Sequence, residues 1–202
     1  MRQHSLQARS SKRLTALAVL GVVFAASIAT AQVDEAALPD GKKTMLGLYV
    51  TAAEAYERWR ADPQEVAVLD VRTTEEYLYV GHAPMAWNVP LMSQAYEWDA
   101  EKQRFNMRLN PDFVSQVSSL FKPEDPIFVM CRSGGRSAMA VNMLGDAGYT
   151  NVYQIVDGME GDVVKDEASV FKGQRLKNGW KNSGLPWTYK PELEQMRFIT
   201  EK

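Results

Sequence analysis

Residues 127–137, IFVMCRSGGRS, join an apolar run to a helical pattern through a loop that contains the only cysteine of the chain. The continuous apolar run Ile127–Met130 is typical of a strand buried on both faces of a sheet. Residues 136–147 carry apolar side chains at helical spacing, and Gly148 follows where a helix would end. A buried strand, a glycine loop and a helix in this order predict an α/β domain with a parallel sheet.

The rest of the chain alternates helical and strand patterns in the same way. Thr51 with Glu54, and Thr73 with Glu76, have the spacing of capping boxes that start helices. These patterns predict helices at 52–60, from 73 to Gly81, at 111–121 with Asn110 as N-cap, and at 191–202, and strands at 66–69, 86–91 and 152–156. Residues 93–109 and 162–177 have no sustained period, so we interpret them as irregular excursions.

Charge and composition exclude several classes of protein. Four of the 23 basic residues precede residue 32 and none of the 25 acidic ones does, so residues 32–202 hold 19 basic and 25 acidic residues. This acidic balance argues against a nucleic-acid partner. One cysteine and two histidines, His4 and His82, leave no intramolecular disulfide and too few ligands for a transition-metal site. We therefore expect no metal and no cofactor.

The chemistry of the chain is predicted to lie in the loop that begins at Cys131. Backbone N–H groups and the positive end of the helix dipole converge at such a position, which favours the thiolate form of a cysteine. Gly134 and Gly135 allow a tight turn, while Arg132 and Arg136 add positive charge for an anionic substrate. The alternative is a buried structural cysteine followed by an ordinary glycine turn. We predict Cys131 as the nucleophile and the following residues as the substrate-binding loop: Arg132, Ser133, Gly134, Gly135, Arg136 and Ser137.

Several stretches together resemble the single-domain rhodaneses, a family of sulfurtransferases. The stretches that carry the resemblance are residues 69–72 with Glu76 and Tyr77, residues 81–90, the loop 131–137, the segment 157–161, and Trp180, Gly184 and Pro186. The resemblance implies a five-stranded, mostly parallel sheet with helices on both faces. It also implies a two-step reaction through a cysteine persulfide. The active-site loop of cysteine phosphatases has the pattern Cys-x5-Arg, whereas four residues separate Cys131 from Arg136 in this chain. The shorter loop forms a smaller anion-binding ring, which suits a sulfur atom.

One acidic and one basic side chain outside the loop, Asp70 and Arg72, are candidates for supporting the active-site loop. Asp70, at the carboxyl end of a predicted strand, could hold the active-site loop through hydrogen bonds or an ion pair with an arginine. Arg72 is expected to pair locally with Glu75 or Glu76. His82, in a Gly-His-Ala-Pro turn, is interpreted as structural.

The sequence therefore predicts an exported sulfurtransferase. Its Cys131 thiolate would take sulfane sulfur from a small donor such as thiosulfate and pass it to a thiol, cyanide or a protein acceptor. The alternative is a rhodanese module that carries sulfur to, or binds, one partner protein without turnover. We divide the chain into a signal peptide at 1–31, a rhodanese-like domain at 44–189 and a C-terminal tail at 190–202.

The first 31 residues have the pattern of an export signal. Basic residues are followed by the apolar run 14–26, which is too short for a spanning helix, and then by Ala29-Thr30-Ala31, an A-x-A cleavage pattern. The alternative is an uncleaved membrane anchor. A cleaved signal predicts a periplasmic product that is free of the membrane.

We expect the exported protein to begin at Gln32, because signal peptidase cleaves after small residues such as Ala31. Intact-mass analysis of the exported protein should show Gln32, or its cyclised form, as the first residue. A mature species that retains residues 14–26 in the membrane fraction would contradict this prediction.

Overall fold

A five-stranded parallel sheet forms the centre of the fold. The computed structural model describes residues 33–199, so the predicted signal peptide and its cleavage site lie outside the described residues. The strands of the chain are β1 (Tyr49–Val50), β2 (Ala67–Asp70), β3 (Ala86–Asn88), β4 (Met92–Asp99), β5 (Arg104–Leu109), β6 (Ile127–Met130) and β7 (Val152–Ile155). The central sheet has the order β1-β7-β6-β2-β3, while β4 and β5 pair only with each other.

Helices cover both faces of this sheet, which confirms the predicted fold class. They are α1 (Ala52–Ala61), α2 (Phe113–Ser118) and α3 (Gly135–Asp146). Because neighbouring residues of a strand point to opposite faces, Val68 packs in the core under α1 while Leu69 packs in the core under α2 and α3. Within residues 33–199, no helix combines the length and the apolar character needed to cross a membrane.

Two helix predictions are wrong. α2 begins at Phe113 with Asp112, and not Asn110, in the N-cap position. The Asn110 side chain accepts from the Asp112 N–H at 3.0 Å and donates to the Pro90 carbonyl at 2.8 Å, so it holds the turn that precedes the helix. The C-terminal segment forms a single 3₁₀ turn, Leu193–Gln195, in place of a helix from residue 191. It is then held in extended form by the Arg197 N–H, which donates to the Asn88 carbonyl at 2.8 Å.

The stretch 93–109 is a β-hairpin and not an irregular excursion. β4 and β5 pair antiparallel, but the register shifts between Gln94 and Trp98, which interrupts the alternation that would identify β4. The alternation is intact in β5, where Phe105, Met107 and Leu109 are separated by polar residues. This alternation is the feature of the sequence from which β5 could have been predicted. Residues 162–177 form no helix; Val163 and Arg175 bridge antiparallel and close that stretch on itself.

A fully buried ion pair stands at the carboxyl end of β2. The Arg72 Nη2 atom lies 2.6 Å from Asp70 Oδ2, and both side chains are inaccessible to solvent. Arg72 Nη2 also donates to the Gly81 carbonyl at 2.8 Å, which ties the segment after β2 back to the sheet edge. Burial alone would lower the pKa of Arg72, but the charge and hydrogen bonds of Asp70 outweigh it and raise that pKa.

The prediction that Arg72 pairs with Glu75 or Glu76 is therefore wrong. The Arg72 side chain turns back under the strand end, where Asp70 meets it with both oxygens. Asp70 correspondingly makes its ion pair with Arg72 and not with an arginine of the cysteine loop.

Replacing Arg72 with Met should destabilise the protein by about 3–5 kcal/mol, because the Asp70 carboxylate would remain buried without a partner. Urea denaturation measures this change. Arg108→Met is the matched control, since Arg108 pairs with Glu97 at the same 2.6 Å but both side chains are 64% exposed. The control should lose less than about 1 kcal/mol, and equal losses in the two variants would contradict the prediction.

Candidate active site

Cys131 lies immediately beyond the carboxyl end of β6, the middle strand of the sheet. This edge is where open α/β sheets place their ligand sites. The cysteine is 2% exposed, so its sulfur lies just below the protein surface. The Gly134 N–H donates to Sγ at 3.2 Å, and Sγ lies 3.6 Å from the Ser137 hydroxyl.

Gly134 fixes the turn that aims its N–H at the sulfur. Its φ of 107° lies in the left-handed region, and a Cβ at this position would stand 2.5 Å from the Val156 carbonyl oxygen. The Gly134 carbonyl accepts from the Ser137 hydroxyl at 3.0 Å and from Gln154 Nε2 at 2.7 Å. Gly134 is thus bound to α3 and to β7 as well as to the cysteine.

Gly135 does not serve the turn as predicted. It is the first residue of α3 and its φ is not positive, since the backbone has already reversed at Gly134. A Cβ at Gly135 would meet no atom within 4 Å. Gly135 lies on the wall of the cavity described below, where it adds no side chain.

A second loop, residues 157–160, is hydrogen-bonded to the backbone of the cysteine loop. The Met159 N–H donates to the Cys131 carbonyl at 2.8 Å, and the Glu160 N–H donates to the Arg132 carbonyl at 2.9 Å. Gly158 permits this approach, because a Cβ there would lie 2.5 Å from the Cys131 carbonyl oxygen. Asp157 anchors the loop by accepting from two backbone N–H groups, and burial raises the pKa of its carboxyl.

The two arginines of the loop have different surroundings. Arg136 makes a two-fold contact with Glu76, with both N–O distances at 2.6 Å. Burial alone would lower the pKa of Arg136 and raise that of Glu76, but hydrogen bonds and charge within the pair outweigh burial and shift both pKa values the other way. Arg132 is exposed and has no ion-pair partner among residues 33–199. Arg132, and not Arg136, therefore has an uncompensated charge.

A cavity of about 950 Å³ opens above Cys131. Its wall contains four of the predicted loop residues, Arg132, Ser133, Gly135 and Arg136, whereas Gly134 and Ser137 are buried behind it. Asp70 and Arg72 do not reach the cavity. Much of the remaining wall comes from the hairpin of β4 and β5. In the described part of the chain, no group of three or more His, Cys, Asp or Glu side chains is placed to hold a metal ion.

Sequence reasoning missed several residues that build this site. Glu76 was predicted in a capping box and as a partner of Arg72, but not as a partner of Arg136. It accepts from the Thr73 N–H at 3.0 Å and also binds Arg136. Gln154 lies in a predicted strand and Gly158 in the segment 157–161 that carries the resemblance, but neither was assigned a role in the site, because their partners come from distant parts of the chain. His82 is buried, with its ring stacked on Tyr77 at 3.7 Å and Nδ1 3.0 Å from the Tyr77 carbonyl oxygen, an environment that suits a structural residue.

Comparison with protein families matches residues 51–163 to the rhodanese-like domain. The chain belongs to the rhodanese-like domain family. Thiosulfate sulfurtransferase 16, a chloroplastic protein of Arabidopsis thaliana, is 48% identical over 90 residues, which cover 45% of this chain and 68% of the relative. The uncharacterized protein RP600 of Rickettsia prowazekii is 31% identical over 122 residues, covering 60% and 82%.

A solved structure shares this rhodanese-like fold. The crystal structure of Rv0390 from M. tuberculosis superposes with a TM-score of 0.52 at 26% identity, covering 70% of this chain and 96% of that one. The family confirms the resemblance inferred from the loop and its flanking stretches. It supports sulfur transfer at the level of the family.

Replacing Glu76 with Gln should destabilise the protein by about 1–3 kcal/mol near neutral pH, because Arg136 would lose a charged hydrogen-bond partner. The pKa of Glu76 lies below its ordinary 4.5 in the folded protein. Its contribution is therefore complete above about that pH and lost as the pH falls through the lowered pKa. Urea denaturation of both proteins across this range should show the difference shrinking with falling pH.

Glu75→Gln is the control for this experiment, since Glu75 is exposed, lies on the same cavity wall and has no ion pair within residues 33–199. It should change the free energy of unfolding little at any pH. A wild-type advantage over Glu76→Gln that stayed constant with pH would argue against the pair.

Proposed function

We propose that this protein is a sulfurtransferase that moves sulfane sulfur from a donor such as thiosulfate to a thiol, cyanide or protein acceptor. The observation that carries the proposal is the position of Cys131 Sγ, at the floor of an open cavity and bound by the Gly134 N–H at 3.2 Å. A nucleophile held by a backbone donor beside an uncompensated arginine suits attack on an anionic sulfur compound.

In the first step, the Cys131 thiolate attacks the outer sulfur of thiosulfate. A new S–S bond forms to Sγ, the S–S bond of thiosulfate breaks, and sulfite leaves with the electron pair. Arg132 attracts the dianion, and the N–H groups of the loop stabilise the charge on the transferred sulfur. An acceptor thiolate or cyanide then attacks that sulfur and releases the Cys131 thiolate.

Loop length supports sulfur over phosphate as the group transferred. The four residues between Cys131 and Arg136 leave a small ring, and both terminal nitrogens of Arg136 donate to Glu76. A tetrahedral phosphate bound to the cysteine would compete with Glu76 for this guanidinium. The arrangement therefore favours a single transferred sulfur atom.

The wild-type protein should gain the mass of one sulfur atom on treatment with thiosulfate and should turn over steadily with a small thiol acceptor. Cys131→Ser should reduce turnover by about a thousandfold or more, because a hydroxyl is a far weaker nucleophile than a thiolate. Sulfite release and intact-mass analysis provide the measurements, and thermal unfolding checks that the variant remains folded.

Three outcomes would contradict this assignment. Substantial activity in Cys131→Ser would exclude covalent catalysis at this residue. Hydrolysis of an aryl phosphate faster than sulfur transfer by the wild type would exclude the substrate class. A persulfide that forms once without steady turnover would identify a sulfur carrier and not an enzyme.

The proposed place of action is the periplasm, on the strength of the export pattern in residues 1–31. A small sulfur donor and a thiol acceptor are the proposed partners, together with a protein acceptor. Sequencing the protein that forms a mixed disulfide with Cys131 in periplasmic extracts would identify such an acceptor.

A further inference from the structure

The hairpin of β4 and β5 has two chemically different faces. Its apolar face contributes Met92, Tyr96, Trp98, Phe105 and Met107 to the wall of the cavity above Cys131, and the polar residues Gln94, Arg104 and Asn106 of the hairpin line that wall as well. Its other face is charged: Glu97 and Arg108 form an ion pair at 2.6 Å, and neither lines the cavity. Exposed apolar side chains grouped beside an open space are typical of a surface that receives an apolar group.

Two aromatic rings form the centre of the apolar face. Trp98 and Phe105 are direct partners in the register, and their rings meet edge to face with centroids 5.2 Å apart. They nevertheless remain 53% and 47% exposed. This half-exposed pair offers aromatic surface against which an apolar ligand group can pack.

The charges on the cavity wall complement an anion. Glu76 and Arg136 neutralise each other. Arg104 from the hairpin and Arg132 from the cysteine loop have no ion-pair partner among residues 33–199, and Glu75 is the one opposing charge on the described wall. The wall therefore carries a net positive charge beside its apolar surface.

The size of the cavity indicates what kind of anion fits. A space of about 950 Å³ is at the upper end of the range for small-molecule sites, and thiosulfate would leave most of it empty. Cys131, 2% exposed, is reached only by a narrow terminal group. These features together describe a small organic molecule with an anionic sulfur head and an apolar body.

We propose that the hairpin selects an organic sulfane-sulfur donor, in which an aromatic or other apolar group carries a thiosulfonate head. The inference rests on the proposed sulfurtransferase function. The head meets Cys131 and Arg132, and the apolar group packs against Trp98 and Phe105. The Cys131 thiolate bonds to the terminal sulfur, the S–S bond of the thiosulfonate breaks, and the sulfinate leaves with the electron pair; two anions enter the step and two result.

Benzenethiosulfonate and methanethiosulfonate, used with one thiol acceptor, are matched probes of this site. The wild type should have a kcat/KM about tenfold or more higher for the benzene compound, as expected for extra apolar contact in a pocket. Trp98→Ala and Phe105→Ala should each remove most of that preference, because the benzene compound should lose a larger factor of its kcat/KM than methanethiosulfonate or thiosulfate does. Intrinsic reactivity of the two donors is common to all variants, so it cancels when their ratios are compared.

Glu97→Ala is the control, because Glu97 lies on β4 but on the charged face of the hairpin. Its benzene-to-methane ratio should equal that of the wild type. A second measurement needs no variant: benzenesulfonate, which has no transferable sulfur, should protect Cys131 from alkylation at lower concentrations than methanesulfonate does.

The inference is overturned if Trp98→Ala keeps the wild-type ratio, or if the hairpin variants slow all three donors equally. Equal protection by the two sulfonates would also overturn it. These results are distinct from failure of the proposed function, in which the wild type would turn over neither thiosulfate nor either thiosulfonate.

Discussion

The left-handed turn at Gly134 determines how the functional loop is built. No side chain fits there, since a Cβ would press against the Val156 carbonyl oxygen at 2.5 Å. With the chain reversed at this point, the Gly134 N–H faces Cys131 Sγ while its carbonyl binds the Gln154 amide and the Ser137 hydroxyl. One residue therefore links β6, β7 and α3 to the sulfur. The loop is rigid because both polar groups of Gly134 are occupied, and a preorganised donor needs no rearrangement when charge develops on sulfur.

Electrostatics around this loop are divided between two layers. In the buried layer, Asp70 with Arg72 and Glu76 with Arg136 are compensated pairs that hold backbone segments in place. In the exposed layer, Arg132 and Arg104 keep their charge toward the cavity. The distinction follows from desolvation, since a buried guanidinium is tolerated only beside a carboxylate whereas an exposed one is hydrated. Only the exposed layer has charge left over to attract an anionic substrate.

The hairpin changes the character of the site from a shallow loop to a walled cavity. Its charged face is hydrated, and its apolar face supplies apolar contact area for a bound molecule, which a small inorganic ion would not fill. Under the proposed function, the chemical step would belong to the strand–loop–helix unit, and the selection of an apolar donor would belong to a two-stranded ribbon that pairs with no strand of the central sheet.

The sequence by itself determined the α/β class, the strand and helix around Cys131, the capping boxes at Thr51 and Thr73 and the family resemblance, because those features depend on residues a few positions apart. Only the tertiary structure decided the partners of the charged groups. Glu76 and Arg136 lie 60 residues apart and meet only after β2 and β6 pair. Arg72 pairs with Asp70 and not with Glu75 or Glu76, since a guanidinium buried at the strand end needs an adjacent carboxylate. The hairpin was not predicted because a register shift breaks the alternation of β4. That its apolar face lines the cavity above Cys131 follows only from the folded structure.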